Sequence, residues 1–545
     1  MKRSLLLASV IAALLVASLA AAKDKPAGDK TAKEEPKNTN SQYFTPETVT
    51  TNGTVTVEGT RVDYRAECGT IVVHPKGWDD AAPKPDKDSK ADAEDRNPDA
   101  EASMFYVAYF KNGAEATKRP VMFLFNGGPG SATVWLHMGA FGPRRVITAD
   151  DSHTPAAPYD IVNNDYSLLD VADLVFIDAP GTGFSRIAGK NAEKSFYGVD
   201  ADAHAFAEFI TAFLSRYGRW NSPKYIFGES YGTPRAAVLV NMLQGGYALD
   251  INGVVMLSQI LNFDLSVDDA ESNPGMDLPY VVALPTYAAT AWYHHKLPGD
   301  APATLDAFLD EVKAFASGEY ATALLKGAQL SDDERKAMAE KLHGYTGLPV
   351  AYILKANLRI DGGEFEKNLQ DDTDTTTGRL DSRFSGPTLD PLSKEAEYDP
   401  QSAAIASAYV SAFNEYARKT LKFGHDRTYK PFAGLWRKWD FHHSQPGQFG
   451  GGDLGVCNTM PDLAMAMKFN PGLKVLLTGG YFDIATPFYE GWYEMQHLKI
   501  PAKLQSNITY HYYQSGHMVY AHQESLKAIH DDVAAFVRST NNIKK

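Results

Sequence analysis

The stretch that most narrows what this chain can fold into is Lys224-Tyr225-Ile226-Phe227-Gly228-Glu229-Ser230-Tyr231-Gly232. A short apolar run, a Gly-x-Ser-x-Gly pentapeptide and a helix-compatible segment from Pro234 to Leu243 predict a strand, a sharp turn and a helix. Such a turn holds its serine in strained dihedrals and lifts the hydroxyl clear of the sheet edge, and the flanking glycines leave room for it. The pentapeptide alone is a weak signal, because glycine and serine crowd ordinary loops. Its flanking strand and helix give it weight.

The same kind of apolar run recurs. Val121–Phe125, Leu174–Ile177, Val254–Leu257 and Val475–Leu477 read, with Tyr225–Phe227, as strands covered on both faces. Between them lie helical segments, clearest at Val199–Tyr217, where Phe206, Phe209, Ile210, Phe213, Leu214 and Tyr217 recur at helical spacing. Alternation of this kind predicts an α/β fold with a mostly parallel sheet and helices on both sides. Ahead of it, Val55, Val57, Val62, Tyr64, Ile71 and Val73 alternate as in two or three antiparallel strands, and Met104–Phe110 reads as another. Asp79 to Ala102 is charged and proline-bearing, a surface loop.

From Phe263 to about Gly455 the strand signal vanishes. Helical pieces replace it at Leu305–Phe315, after the capping box Ser331-x-x-Glu334, and at Ser402–Leu421, while Asp371 to Gly378 is expected to be polar and mobile. The organisation expected is therefore a core of residues 46–263 and 456–545 with a helical cap, 264–455, inserted into it.

The N-terminus reads as a targeting segment. Lys2 and Arg3 precede an apolar Leu5–Leu19, and Ala20-Ala21-Ala22 offers a small-residue cleavage site. A signal peptide over 1–22 and a disordered, polar leader over 23–45 are expected, and hence an exported protein, periplasmic or secreted, without a membrane anchor. A net charge of −14 repels phosphates and argues against a nucleic-acid partner. Oligomeric state is not legible. Cys68 and Cys457, the only cysteines, are read as two buried thiols rather than a bridge.

A serine hydroxyl needs a base to take its proton and a third group to orient that base. Of fifteen histidines, His517 in Gln514-Ser515-Gly516-His517-Met518 has the best setting, a glycine-bearing loop after the strand-like Ile508–Tyr513. His294-His295 and His442-His443 carry no metal-ligand spacing and read as ordinary surface or core residues. Asp483, just beyond the strand Lys474–Leu477, suits the orienting carboxylate; Asp178 is the rival, but it precedes the serine. Ser230, Asp483 and His517 then follow the chain order of the α/β-hydrolase fold. The glycine-rich Phe125-Asn126-Gly127-Gly128-Pro129-Gly130 follows a strand, so the N–H groups of Gly128 and Tyr231 are the candidate oxyanion donors.

Taken together, Asn126-Gly127-Gly128-Pro129-Gly130, Asp178-Ala179-Pro180-Gly181-Thr182-Gly183-Phe184-Ser185, Gly228-Glu229-Ser230-Tyr231-Gly232, Asp483 and Gly516-His517-Met518 resemble the serine carboxypeptidase family. That resemblance implies an α/β-hydrolase core with a helical insertion, a peptide substrate cleaved at its C-terminus, and neither metal nor organic cofactor. It also implies that Asn126 and Glu229 bind the substrate's terminal carboxylate. A third member of that set falls in the family's Glu-x-Gly-Pro, which here reads Ala140-Phe141-Gly142-Pro143. A glutamate facing a carboxylate can hydrogen-bond it only when protonated, so Ala140 is expected to loosen recognition or raise the pH optimum. Arg144 and Arg145 read as a solvated pair, with carboxylate binding as the alternative. Ser131, Tyr481 and Tyr520 are further departures, all outside the triad. Two other functions stay open: an esterase or acyltransferase on the same site, and a catalytically silent binding protein of hydrolase form.

Overall fold

Ten strands make one sheet in the computed structural model, which describes residues 44–81, 97–268, 270–300, 302–446, 453–454 and 457–544. The expected signal peptide and nearly all of the expected leader lie outside these residues. The strands are β1 (Thr48–Val57), β2 (Thr60–Val73), β3 (Glu101–Lys111), β4 (Val121–Phe125), β5 (Asp173–Ile177), β6 (Arg186–Ala188), β7 (Lys224–Glu229), β8 (Gly253–Leu257), β9 (Lys474–Gly480) and β10 (Ile508–Tyr513). Their order is β1-β2-β3-β5-β4-β7-β8-β9-β10, with β6 paired to β3. The early strands β1 to β3 pair antiparallel, and every pairing from β5 across to β10 is parallel. This is the α/β-hydrolase fold expected from the sequence. The first region is a single long hairpin, its two strands turning at Glu58-Gly59.

Continuous apolar runs are what a sheet covered on both faces requires. Along β4, Val121, Phe123 and Phe125 face one layer, where Phe206 and Phe209 of α1 (Val199–Arg216), Leu239 of α2 (Gly232–Tyr247) and Leu463 of α7 (Met460–Phe469) pack. Met122 and Leu124 face the other, against Phe413 of α6 (Pro400–Lys419) and Ile529 and Val533 of α9 (Gln523–Thr540). Each fully buried side chain of this size contributes roughly 2 kcal/mol, so both layers are needed to hold the parallel strands.

The chain between β8 and β9 builds a second cluster from α3 (Leu278–Tyr293), α4 (Leu305–Phe315) and α5 (Asp332–Thr346). Phe482 and Ile484, from the loop after β9, and Phe488, at the start of α8 (Phe488–Gln496), join this cluster and tie it to the core. The capping box at Ser331 and Glu334 forms as expected. Helix α3 escaped the sequence reading because it is apolar almost all round and shows no 3.6-residue alternation. The segment also holds two short antiparallel pairs, Thr375–Thr377 with Ser385–Pro387 and His443–Ser444 with Asp453–Leu454. Within Asp371–Gly378, Thr376 and Thr377 are buried against the polar reading, and the Gln370 amide donates to the hydroxyls of Thr377 and Ser385. Both cysteines are buried free thiols. No helix among the described residues is long and apolar enough to cross a membrane.

Candidate active site

Strand β7 ends at Glu229 and helix α2 begins at Gly232, leaving Ser230 at the corner with φ 61°. A non-glycine residue in this left-handed region is strained and persists only when its surroundings hold it. Here the Ser230 N–H donates to the Leu257 carbonyl at 3.0 Å, and its own carbonyl accepts from the N–H and hydroxyl of Thr233. Ser230 remains partly exposed while the residues on either side of it are buried.

Asp483 and His517 come from the loops after β9 and β10, at the same end of the parallel strands as Ser230. His517 Nδ1 lies 2.8 Å from Asp483 Oδ2. With the carboxylate as acceptor, Nδ1 carries the proton and Nε2 is left to act as a base. Burial works against protonating this ring, but the charge and hydrogen bond of Asp483 outweigh it and hold His517 above its ordinary pKa. Asp483 is fully buried; it also accepts from the Thr486 hydroxyl at 2.6 Å and the Thr486 N–H at 3.0 Å. Ser258, at the end of β8, donates from its hydroxyl to the His517 carbonyl at 2.7 Å.

The helical segment grips the same loop. The His517 N–H donates to the Leu380 carbonyl at 2.6 Å, and the Gly516 N–H to the Asp381 carboxylate at 3.2 Å. A Cβ on Gly516 would sit 2.5 Å from the Asp381 Cα, so the position has room only for glycine. Asp381 is itself held by Arg383 in a buried ion pair at 2.6 Å.

The glycine-rich loop after β4 lies directly against the elbow. A Cβ on Gly127 would come within 2.5 Å of the Gly232 nitrogen, and Gly128 has φ 107°, which favours glycine. Arg235 of α2 fixes this loop by donating to the Asn126 carbonyl at 2.8 Å while paired with buried Asp202 at 2.5 Å. Asp178, the rival carboxylate, is committed to the loop instead. It accepts from the N–H groups of Thr133 at 2.8 Å and Phe184 at 3.4 Å, which agrees with a bracing role.

Beside the serine, Glu229 is 2% exposed, and burial lifts its pKa to about 7 against the lowering effect of His517, Tyr520 and Asn126. Its oxygens accept the Tyr520 hydroxyl at 2.9 and 3.1 Å. Asn126 Oδ1 accepts from the Leu136 N–H at 3.1 Å. Ala140 is buried in the short helix Leu136–Phe141. Arg144 reaches toward the Thr54 carbonyl and Arg145 donates to Gln523 at 2.9 Å, so each has a protein partner of its own. Sequence reasoning named Ser230, Asp483 and His517, of which the structure joins Asp483 and His517 by a hydrogen bond; it missed Thr486, Ser258, Asp381 and the Glu229 partner Tyr520. The one signal that pointed to Tyr520 was its departure from the family pattern.

A sheet of this strand order with a strained serine at its elbow and an Asp–His pair at the ends of later strands has the arrangement of the α/β-hydrolase fold. Over residues 86–250 it matches the serine carboxypeptidase family, which bears out the resemblance read from the motifs. That stretch contains the glycine loop, the Asp178 motif and the elbow; Asp483 and His517 lie beyond it. Among curated proteins, the chain is 32% identical over 141 residues to the pheromone-processing carboxypeptidase KEX1 of Phytophthora infestans (strain T30-4), covering 24% of this chain and 21% of that one. It is 28% identical over 173 residues to serine carboxypeptidase-like 36 of Arabidopsis thaliana, covering 30% and 32%. The matches thus span a third or less of these relatives' length. Among solved structures, a proline iminopeptidase from Mycobacterium smegmatis aligns over 81% of this chain and 96% of its own, at 12% identity and a TM-score of 0.34.

Proposed function

We propose that the chain is an exported serine exopeptidase of carboxypeptidase type, releasing C-terminal residues from peptides through an acyl-enzyme. Ser230 Oγ attacks the scissile carbonyl while His517 Nε2 takes its proton. Asp483 holds the imidazole and stabilises the imidazolium that forms. The N–H groups of Gly128 and Tyr231 receive the developing oxyanion. The carbon–nitrogen bond breaks, His517 returns the proton to the leaving amine, and water, activated by the same histidine, releases the acyl group and restores Ser230.

The observation that carries the exopeptidase reading is Glu229. A carboxyl group buried one residue from the serine, with its pKa raised to about 7, keeps its proton in acid and can donate it to a substrate carboxylate. With Asn126 beside it, the site suits a free C-terminus, and this fit weakens as pH rises through 7 and the two carboxylates repel. Export rests on the expected signal peptide. The esterase or acyltransferase reading keeps a foothold in Ala140, which brings no second carboxyl group.

Ser230→Ala is expected to abolish hydrolysis of a blocked dipeptide while leaving thermal unfolding unchanged. Undiminished turnover in that variant would end the proposal. Comparison of the free-acid dipeptide with its C-terminal amide separates exopeptidase from general acyl hydrolase: equal kcat/KM on both at pH 5.5 favours the latter. An organophosphonate probe that fails to label Ser230 would point to a silent binding protein.

A further inference from the structure

Tyr520 is 3% exposed and lies in the turn Val519–Ala521, three residues beyond His517. The segment after β10 therefore carries both the candidate base and the hydroxyl that binds Glu229. The Tyr520 ring packs over Gly139: a Cβ there would come 2.8 Å from a ring carbon of Tyr520 and 2.6 Å from the Tyr409 hydroxyl. Gly139 precedes Ala140 in the same short helix, so two tyrosines wall the space beside a residue with no polar group to offer.

The charged and titratable groups acting on Glu229 come from every element around it. His517 and Asp483 act from the loops after β10 and β9, Tyr520 from its turn, and Tyr409 from α6, with Arg145 beyond Tyr409. His137, in the helix that carries Ala140, is turned away, 2.7 Å from the Tyr109 hydroxyl and stacked on Phe176. A carboxyl group that must offer its proton to an incoming carboxylate needs its other oxygen engaged by a donor. Otherwise it can rotate and present an acceptor instead. Tyr520 is such a donor: its hydroxyl lies 2.9 Å from Oε2 and 3.1 Å from Oε1, within reach of whichever oxygen is left without the proton, and burial holds that hydroxyl protonated well beyond neutral pH.

We propose that Tyr520 is the positioning residue for Glu229: its hydroxyl fixes the carboxyl group so that the Glu229 O–H faces the terminal carboxylate of a free-acid peptide. Preference for a free acid over its amide then depends on Tyr520. This rests on the carboxypeptidase reading above. A hydrogen bond to a carboxyl group in a buried site controls binding by about tenfold or more.

The test compares the full-length wild type with Tyr520→Phe, after an organophosphonate titration of Ser230 in each. kcat and KM are then measured from pH 5 to 9 on a blocked dipeptide and on its C-terminal amide. The wild type is expected to prefer the free acid, with the preference falling in a single-proton step near pH 7. Tyr520→Phe is expected to cut the acid-to-amide ratio of kcat/KM about tenfold at pH 5.5, mainly through KM for the acid. The step should also move to higher pH, because the lost donor had been lowering the Glu229 pKa. A labelled Tyr520→Phe that keeps the wild-type ratio and step overturns the role of Tyr520 alone. A labelled wild type with no preference for the free acid overturns the carboxypeptidase reading and Tyr520 with it. A wild-type ratio flat across pH 5 to 9 overturns the proposal without any variant.

Discussion

Replacing His443 by glutamine probes a buried clamp far from the serine in sequence. His443 sits in the short strand pair beyond α6, 1% exposed, with Nδ1 2.5 Å from Asp200 in the first turn of α1 and Nε2 2.7 Å from Asp462 in the first turn of α7. Burial opposes protonation, but the two carboxylates overcome it and push the pKa up to about 9 from an ordinary 6.5. The folded chain therefore binds this proton more tightly than the unfolded one. The gap corresponds to about 3 kcal/mol, fully present below pH 6.5 and lost as pH rises through 9. Unfolding entropy is roughly 2 cal/mol/K per residue, or about 1 kcal/mol/K for a chain of this length unfolding cooperatively. Losing the clamp should then lower Tm by about 3 °C.

The assay is thermal unfolding of wild type and His443→Gln from pH 6 to 10. At pH 6 the variant should melt about 3 °C or more below wild type, since Asp462 keeps only its 3.0 Å bond from Asn241. The gap should close as pH passes 9, because the wild type surrenders the same interaction there. Other titrating groups are common to both proteins and cancel in the difference. Curves that stay parallel from pH 6 to 10 would refute the charged clamp and leave His443 as a neutral packing residue.

Two further outcomes follow from the packing. Gly516→Ala should cut kcat at least tenfold, because its Cβ would collide with the Asp381 backbone and displace the histidine loop; wild-type kcat in that variant would show that the loop has slack. Neither Cys68 nor Cys457 should react with a thiol reagent in the native protein, and both should react after denaturation, since each is buried with its pKa raised; rapid native labelling would contradict that burial.

How far the sequence disclosed this molecule depends on how local each signal was. Val121–Phe125 and Val254–Leu257 were found because a doubly covered strand writes its burial into consecutive residues. Ser331 and Glu334 were found because a capping box is complete within four positions. Helix α3 was missed because uniform burial erases the period that marks an amphipathic helix, and Thr376 and Thr377 because polar residues buried by side-chain hydrogen bonds look solvent-facing in sequence. His443 was passed over for a related reason. Its two aspartates lie 243 positions before and 19 positions after it, so no local pattern joins them.

The same distinction separates the parts of the site. Ser230 announces itself because the elbow is a local structure, and Gly128 because a tight loop after a strand is one too. Tyr520 does not, since what matters is a hydroxyl reaching a carboxyl group 291 positions away. Its place after Met518 and Val519 marked it only as a departure from a pattern. Yet that departure and the loss of a carboxyl group at Ala140 meet on one short helix, where the Tyr520 ring rests on Gly139. Two departures that look independent along the chain are thus close in space, and Tyr520 supplies a polar partner for Glu229.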